Sequence, residues 1–208
     1  MKILVVDDHE IVRNGIARIV SEEILGSKVQ EADNGFDAIK IARRENLSLI
    51  IMDMSMPEIT GLEVLKQLRS EAIKIPVLIL SIHPENQYAL RVLKAGGNGY
   101  ITKECPRGEL VNAVRIILGG KKYISTGVAE KLAMRFDDDM TKEQHELISD
   151  RELQVLKLIA TGKTVTEVAT ELNLSVATVS TYRGRLLDKM GMKNNAELTV
   201  YAINNGLV

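Results

Sequence analysis

The chain has 208 residues, enough for one large domain or two small ones. Its 27 Lys and Arg against 28 Asp and Glu exclude a generally basic protein, so any contact with nucleic acid needs a local patch. Hydrophobic residues make up 45%, which can build a core, and the one cysteine, Cys105, excludes an internal disulfide and fits a reducing compartment. No signal-peptide pattern follows Met1, and no apolar stretch approaches the ~18 residues that span a bilayer. We therefore expect a cytoplasmic protein without membrane insertion.

Residues 1–121 alternate between short apolar runs and longer segments with helical spacing. Strands are predicted at residues 3–6, near 29, and at 49–52, 77–80 and 100–102. Helices are predicted at residues 11–24, 36–44, 62–68, 88–93 and 110–118. This alternation predicts an α/β domain with a doubly wound sheet of five parallel strands, covered by helices on both faces.

Polar side chains follow four of these strands. Asp7 and Asp8 follow the first strand, Asp53 the third, Ser81 the fourth and Lys103 the fifth. Any one of them could be a helix cap or part of a solvated turn, but together they should meet at one edge of the sheet. Neighbouring carboxylates repel one another unless a cation joins them, and oxygen ligands suit Mg²⁺. A carboxylate is also a competent nucleophile toward phosphorus, which gives Asp53 a chemical role.

The motifs of this half resemble the receiver domain of bacterial two-component response regulators, a flavodoxin-like fold. The matching residues are Val6-Asp7-Asp8-His9, Asp53 with Met56-Pro57, Ser81, and Gly99-Tyr100-Ile101-Thr102-Lys103. The resemblance implies that Asp53 accepts phosphate from a sensor histidine kinase. It implies that Mg²⁺ is held by Asp8, Asp53 and the backbone carbonyl of Ser55, with Asp7 in support. It assigns Lys103 and Ser81 to the phosphate and Tyr100 to an aromatic switch.

Two positions in this half leave alternatives open. Lys103 is followed by Glu104, whereas many receivers have a proline there, so the backbone after Lys103 is not defined by the resemblance. His83, two residues after Ser81, occupies a position that influences phosphate lifetime in the family. It could equally cap the following helix beside Pro84.

Residues 122–147 are predicted to be a linker with one helix, at residues 128–136. The acidic run Asp137-Asp138-Asp139 within it could bind a metal, but a solvated linker is the simpler interpretation.

Strand patterns disappear in residues 148–208, and four helices are predicted. Ser149 and Glu152 form a capping box before a helix at 150–160. A short helix at 165–172 and a longer one from about Ser175 to Met190 form a helix-turn-helix, and a fourth helix spans 194–204. The predicted architecture is therefore a receiver-like domain (1–121), a linker (122–147) and a small all-α domain (148–208).

The long third helix has a core face and a smooth opposite face. Val179, Leu186 and Met190 share the core face, while Ala177, Thr181 and Gly184 lie opposite. A glycine inside a helix costs roughly 0.5–1 kcal/mol relative to alanine, and close approach to a DNA groove would explain it. The alternative is a solvated face that tolerates small residues.

This half resembles the LuxR-type helix-turn-helix domain of response regulators. The matching runs include Asp150-Arg151-Glu152, Glu167-Val168-Ala169, Thr178-Val179 and Lys189-Met190-Gly191. The resemblance places Ser180, Thr181 and Gly184 at base-facing positions and makes the last helix a dimer surface. The full set of predicted DNA contacts is Thr178, Ser180, Thr181, Tyr182, Arg183, Gly184, Arg185 and Lys189. Residues 148–208 contain seven basic and six acidic residues, so one copy should bind double-stranded DNA weakly.

These features together predict a DNA-binding transcriptional regulator that is switched by phosphorylation of Asp53, through homodimerisation, and is not an enzyme apart from its own phosphoryl transfer. A phosphorylation-independent regulator is one alternative. An aspartyl-phosphate phosphatase or phosphotransferase is another, but it would want a second acid where Ser55 stands, and it leaves the helix-turn-helix unexplained.

Overall fold

The structure is a computed structural model of the chain and describes residues 1–130, 145 and 147–208, with residues 86 and 87 described by their backbone alone. The chain forms two compact units, Met1–Asp138 and Asp139–Val208. Most of the predicted helix at 128–136 and all of the acidic run 137–139 lie outside the described residues. Among the residues that are described, no helix is long and apolar enough to cross a membrane.

The first unit is built on five parallel strands in the order β2-β1-β3-β4-β5, which confirms the predicted sheet. The strands are β1 (Lys2–Val6), β2 (Lys28–Ala32), β3 (Leu49–Asp53), β4 (Val77–Ser81) and β5 (Gly99–Thr102). Strands β3 and β4 are buried along their whole length, which is why their sequences are unbroken apolar runs. Strand β2 lies at the edge, and its partly exposed residues give the weakest sequence pattern of the five.

Five helices cover both faces of this sheet, as a doubly wound fold requires. They are α1 (Glu10–Glu23), α2 (Gly35–Arg44), α3 (Gly61–Ser70), α4 (Glu85–Lys94) and α5 (Arg107–Leu118). Helices α1 and α5 pack on one face, where their apolar residues join those of the central strands in one core cluster. Helix α4 begins three residues before the predicted start, because its first turn is polar and carries no apolar periodicity.

Residues 122–130 were predicted as the start of a linker, but they pack on the first unit. Tyr123 contacts the core cluster beside α1 and α5, and Val128 is buried. Residues 126–130 are helical. Tyr123 and Val128 pack inward while Ile124 is exposed, and so short a pattern does not predict this packing from periodicity.

In the second unit, residues 147–208 form four helices around a small apolar core. They are α6 (Asp150–Ala160), α7 (Val165–Glu171), α8 (Val176–Met190) and α9 (Asn195–Asn204). Helix α6 packs against both α8 and α9, and α7 packs against α8. The predicted capping box of Ser149 and Glu152 is present, and Thr164 with Glu167 forms another at the start of α7. The core face predicted for α8 is buried through Val179, Leu186 and Met190.

Candidate functional site

The carboxyl ends of β1, β3 and β5 bring two acids and a lysine into direct contact. The Lys103 ammonium lies 2.7 Å from Asp7 Oδ2 and 3.0 Å from Asp53 Oδ1. The Asp7 and Asp53 side chains are almost completely buried, and Lys103 is 14% exposed. The sheet topology accounts for this contact, since β1 and β3 are neighbours and Lys103 N–H donates to Ser81 O at the end of β4.

Burial and charge act against each other on these groups. Burial raises the pKa of the Asp53 carboxyl, and the positive charge of Lys103 opposes that rise. The backbone N–H of Ser55 also hydrogen-bonds this carboxylate and lowers its pKa. Burial lowers the pKa of Lys103, but the negative charges of Asp53 and Asp7 outweigh it, so the pKa lies above its usual value. Lys103 is therefore a fixed cation beside Asp53.

The acidic side chains of this pocket fit a small divalent cation. One ligand atom from each of Asp7, Asp8, His9 and Asp53 can be chosen so that all lie within 4.8 Å of one another. The single ammonium of Lys103 balances only one of the three carboxylates. A hard cation such as Mg²⁺ prefers oxygen, so the three aspartates are the suitable donors, and His9 is not. Assignment of the Ser55 carbonyl as a further ligand stays a prediction.

Ser81 and Tyr100 lie beside the pocket and are linked through the loop that follows β4. The His83 N–H donates to Ser81 Oγ at 3.0 Å, and the Tyr100 hydroxyl donates to the His83 carbonyl at 2.8 Å. Tyr100 is 3% exposed, so its ring already lies inside the fold. Burial raises its pKa well above the usual value, and a hydrogen bond with the Ser81 side chain lowers it. The two predicted switch residues therefore share one hydrogen-bonded loop.

His83 contacts Ser55, two residues after Asp53. Its Nε2 lies 3.5 Å from Ser55 Oγ, and its ring stacks on Tyr88 with centroids 5.1 Å apart. The His83 backbone N–H donates to Ser81 Oγ. Pro84 occupies the N-cap position of α4. The His83 imidazole therefore lies beside Ser55 and Tyr88.

Gly61 supports Asp53 from behind, and the sequence interpretation missed it. A Cβ at Gly61 would lie 2.2 Å from the Asp53 carbonyl oxygen, so α3 can begin here only with a glycine. The Gly61 N–H donates to Met54 O at 2.9 Å, and the buried Thr60 caps the helix with Glu63. The capping-box pattern Thr60-Gly61-Leu62-Glu63 was visible in the sequence, but its closeness to Asp53 was not.

Helix α8 presents an exposed face of small and polar residues. Ser180, Thr181 and Arg185 are exposed, and among the described residues nothing lies within 4 Å of a Cβ built at Gly184. The Thr181 hydroxyl donates to the Ala177 carbonyl at 3.0 Å. Thr178 is half-buried and its hydroxyl bonds Ser175 at 2.7 Å, and Tyr182 is also half-buried.

Two of the basic residues predicted to contact DNA form hydrogen bonds within the second unit. Lys189 Nζ lies 2.9 and 2.8 Å from the two carboxylate oxygens of Glu152, whose side chain is 2% exposed. Arg183 donates through Nε to Asn195 Oδ1 at 2.6 Å. These pairs join α8 to α6 and α9. The helix wheel could not predict them because they depend on tertiary packing.

Comparison with known proteins identifies both halves. Residues 3–115 match the family model of the response regulator receiver domain, and residues 146–202 match that of the bacterial regulatory proteins of the luxR family. The chain is 38% identical to the response regulator UvrY of Escherichia coli K12, over 100% of this chain and 95% of that protein. It is 35% identical to the response regulator GacA of Pseudomonas aeruginosa, over 100% and 98% of the two chains.

A solved complex of the two-component response regulator RcsB with DNA is also similar. It shares 26% identity with this chain, covers 97% of it and 96% of the RcsB chain, and has a TM-score of 0.59.

Proposed function

Because this chain belongs to the two-component response regulators with a LuxR-family DNA-binding domain, we propose that Asp53 is its phosphoacceptor and that phosphorylation controls its binding to DNA. The observation that carries this proposal is the buried Asp53 carboxylate in contact with Lys103, at 3.0 Å, beside Asp7 and Asp8. The phosphodonor is a phosphohistidine of a sensor kinase. The proposal places the protein in the cytoplasm, where it can meet DNA.

The proposed chemistry begins with an Asp53 carboxylate oxygen attacking phosphorus. The P–N bond of the phosphohistidine breaks, an acyl phosphate forms, and the imidazole leaves. Lys103 holds one phosphoryl oxygen as a fixed positive charge, and the Ser81 hydroxyl donates to another. Mg²⁺ at the three aspartates would neutralise negative charge on the phosphoryl group. Hydrolysis of the acyl phosphate resets the protein, so the chemistry remains on Asp53 and no other substrate is turned over.

Recognition of DNA is assigned to the exposed face of α8. Ser180, Thr181 and Gly184 would approach the bases, since their small side chains let the helix lie deep in the major groove. Arg185 is exposed and suited to a phosphate. A solved relative in complex with DNA supports this partner.

Dimerisation is assigned to helix α9. Val200 and Ile203 are each 58% exposed, and Ala196 lies on the same face, one turn before Val200. Exposed apolar residues at this spacing suit the same face of a second copy.

The test treats the full-length protein with acetyl phosphate and Mg²⁺ and measures intact mass and DNA binding. The DNA probe is a duplex pool selected from a random library with beryllofluoride-treated wild-type protein. Asp53→Ala should gain no phosphate-sized mass, and its DNA affinity should not respond to acetyl phosphate. Asp33→Ala is the matched control, because Asp33 is an exposed aspartate after β2. Equal phosphorylation of Asp53→Ala and wild type would disprove the assignment, and unchanged DNA binding on phosphorylation would disprove the switch.

A further inference from the structure

His9 brings an imidazole nitrogen to the carboxylates around Asp53. Its Nδ1 lies 3.0 Å from Asp8 Oδ1 and 3.4 Å from Asp7 Oδ1. Asp7, Asp8, His9 and Asp53 each offer a ligand atom within 4.8 Å of the others. His9 stands at the N-cap position of α1, but its side chain makes no capping hydrogen bond. The imidazole therefore lies at the pocket without a role in starting the helix.

The close contact between His9 and Asp8 is not a hydrogen bond. Asp8 Oδ1 is buried, and no described residue donates a hydrogen bond to it, although His9 Nδ1 is only 3.0 Å away. The His9 backbone N–H donates to Asp7 Oδ1 at 2.9 Å instead. A buried carboxylate oxygen without a donor is costly, and a bound cation removes that cost. Asp8 Oδ1 and His9 Nδ1 are thus neighbouring atoms that do not satisfy each other.

The spacing of these atoms is the one that adjacent ligands of a metal ion adopt. Two ligands about 2.1 Å from a metal lie about 3.0 Å apart at a right angle and about 3.4 Å apart at the tetrahedral angle. The two distances from His9 Nδ1, 3.0 and 3.4 Å, match these values. The nitrogen and the two carboxylate oxygens are therefore already spaced as ligands of one ion.

We propose that His9 is a metal ligand that sets the metal preference of the pocket, which binds transition metals such as Co²⁺ and Zn²⁺ through this nitrogen and Mg²⁺ without it. Imidazole is a good ligand for such metals, whereas Mg²⁺ takes oxygen. The inference rests on the proposed function in one respect, because it takes Asp7, Asp8 and Asp53 as the oxygen ligands. Co²⁺ or Zn²⁺ would therefore compete with Mg²⁺ for the carboxylates around Asp53 instead of binding at a separate site.

The first experiment measures the affinity of the full chain for Co²⁺, Zn²⁺ and Mg²⁺ by isothermal titration calorimetry. Loss of a group that merely orients a metal ligand weakens binding about 10–100-fold, so His9→Ala should weaken Co²⁺ and Zn²⁺ binding at least about tenfold. Its affinity for Mg²⁺ should change less than about twofold, since Mg²⁺ does not use the nitrogen. The His9 side chain is 67% exposed, so the variant should fold. His145→Ala is the matched control, because His145 contacts Tyr201 in the second unit, and it should bind all three ions like wild type.

The outcomes separate this inference from the proposed function. Equal losses of Mg²⁺ and Co²⁺ affinity in His9→Ala would overturn the metal preference. Unchanged affinity for all three ions would overturn the assignment of His9 as a ligand, while the aspartate site would survive. If wild type binds none of the ions, the metal site of the proposed function fails as well.

The second experiment identifies the ligating nitrogen by NMR of protein labelled with ¹⁵N-histidine. The chain has three histidines, so three imidazole signals sets are expected. Zn²⁺ should shift the Nδ1 signal of one set toward the position of a coordinated nitrogen, and that set should be missing from His9→Ala. Asp8→Ala should remove the shift at the same Zn²⁺ concentration, because the nitrogen binds the ion together with the carboxylate. A shift of His83 or His145 instead, or a shift that persists in Asp8→Ala, would overturn the proposal.

Discussion

Gly61→Ala tests whether the packing behind Asp53 holds the phosphoacceptor in place. The added Cβ would lie 2.2 Å from the Asp53 carbonyl oxygen, 3.1 Å from its carbonyl carbon and 3.2 Å from Met54 Cα. All three are backbone atoms at the end of β3, a central strand paired with β1 and β4. No flexible side chain can move aside, so the strand end or the start of α3 must shift.

The size of the shift sets the expected effect. A carbon-to-oxygen contact is normally about 3.3 Å or longer, so relief of the clash needs a movement of about 1 Å. Overpacking of this kind costs about 1–3 kcal/mol of folding free energy, and removing a helical glycine returns about 0.5–1 kcal/mol. We expect a net destabilisation of about 1–2 kcal/mol. A misplacement of about 1 Å at a reacting group slows chemistry by up to ~100-fold, so phosphorylation by acetyl phosphate should fall at least about tenfold.

The assay combines chemical denaturation with the rate of phosphate incorporation measured by intact mass. Gly15→Ala is the control, because Gly15 lies inside α1 and a Cβ there meets no described atom within 4 Å. That variant should be about 0.5–1 kcal/mol more stable than wild type and should be phosphorylated normally. If Gly61→Ala matches wild type in stability and in rate within twofold, the packing argument is refuted.

Three further changes test other contacts. Lys189→Met should destabilise the second unit by about 1–2 kcal/mol in denaturation, because it leaves the buried Glu152 carboxylate without its cation. This value is reduced because the Lys189 side chain is partly exposed to solvent. Lost DNA affinity at unchanged stability would instead make Lys189 a phosphate contact. Arg69→Lys should cost about 1–2 kcal/mol, because the guanidinium donates to three backbone carbonyl oxygens that one ammonium cannot span; an unchanged melting temperature would contradict this. The Arg43 guanidinium lowers the pKa of Glu71 from 4.5 to about 2, so this pair stabilises fully above pH 4.5 and is lost toward pH 2. Glu71→Gln should therefore flatten the loss of stability over that pH window in acid titrations, and an unchanged slope would show that the pair has no net effect.

The fold could be predicted because burial leaves its pattern in the sequence. Buried central strands require unbroken apolar runs, and β3 and β4 were placed within one residue of their observed ends. The start of α4 was placed too late, because Glu85 and the two residues after it are polar and the described buried residues of the helix begin at Tyr88. Periodicity detects the apolar residues that face a core, and it misses a first turn made of polar residues.

The candidate site was predictable for a different reason, which is topology. In a parallel sheet the residues after the strands share one edge, so Asp7, Asp53 and Lys103 could be brought together before any distance was known. Contacts between side chains of different helices follow no such rule. The pairing of Lys189 with Glu152 and the hydrogen bond from Ser125 to Glu85 depend on how elements pack in three dimensions, and their sequence separation carries no signal.

The charge balance of the second unit fits the proposal that a switch at Asp53 controls DNA binding. Residues 148–208 contain seven basic residues against six acidic ones, and Lys189 is already paired with Glu152. Each phosphate neutralised contributes about 0.9 to the slope of log affinity against log salt, so a copy with about three contacts would have a slope of only about −3. Two copies joined on one DNA site would double that slope and gain the effective concentration of a linked pair. A single copy with a strong basic patch would bind DNA without being phosphorylated. Under the proposed function, the weak charge of each copy would make occupancy depend on dimerisation, which is the step that phosphorylation of Asp53 is proposed to control.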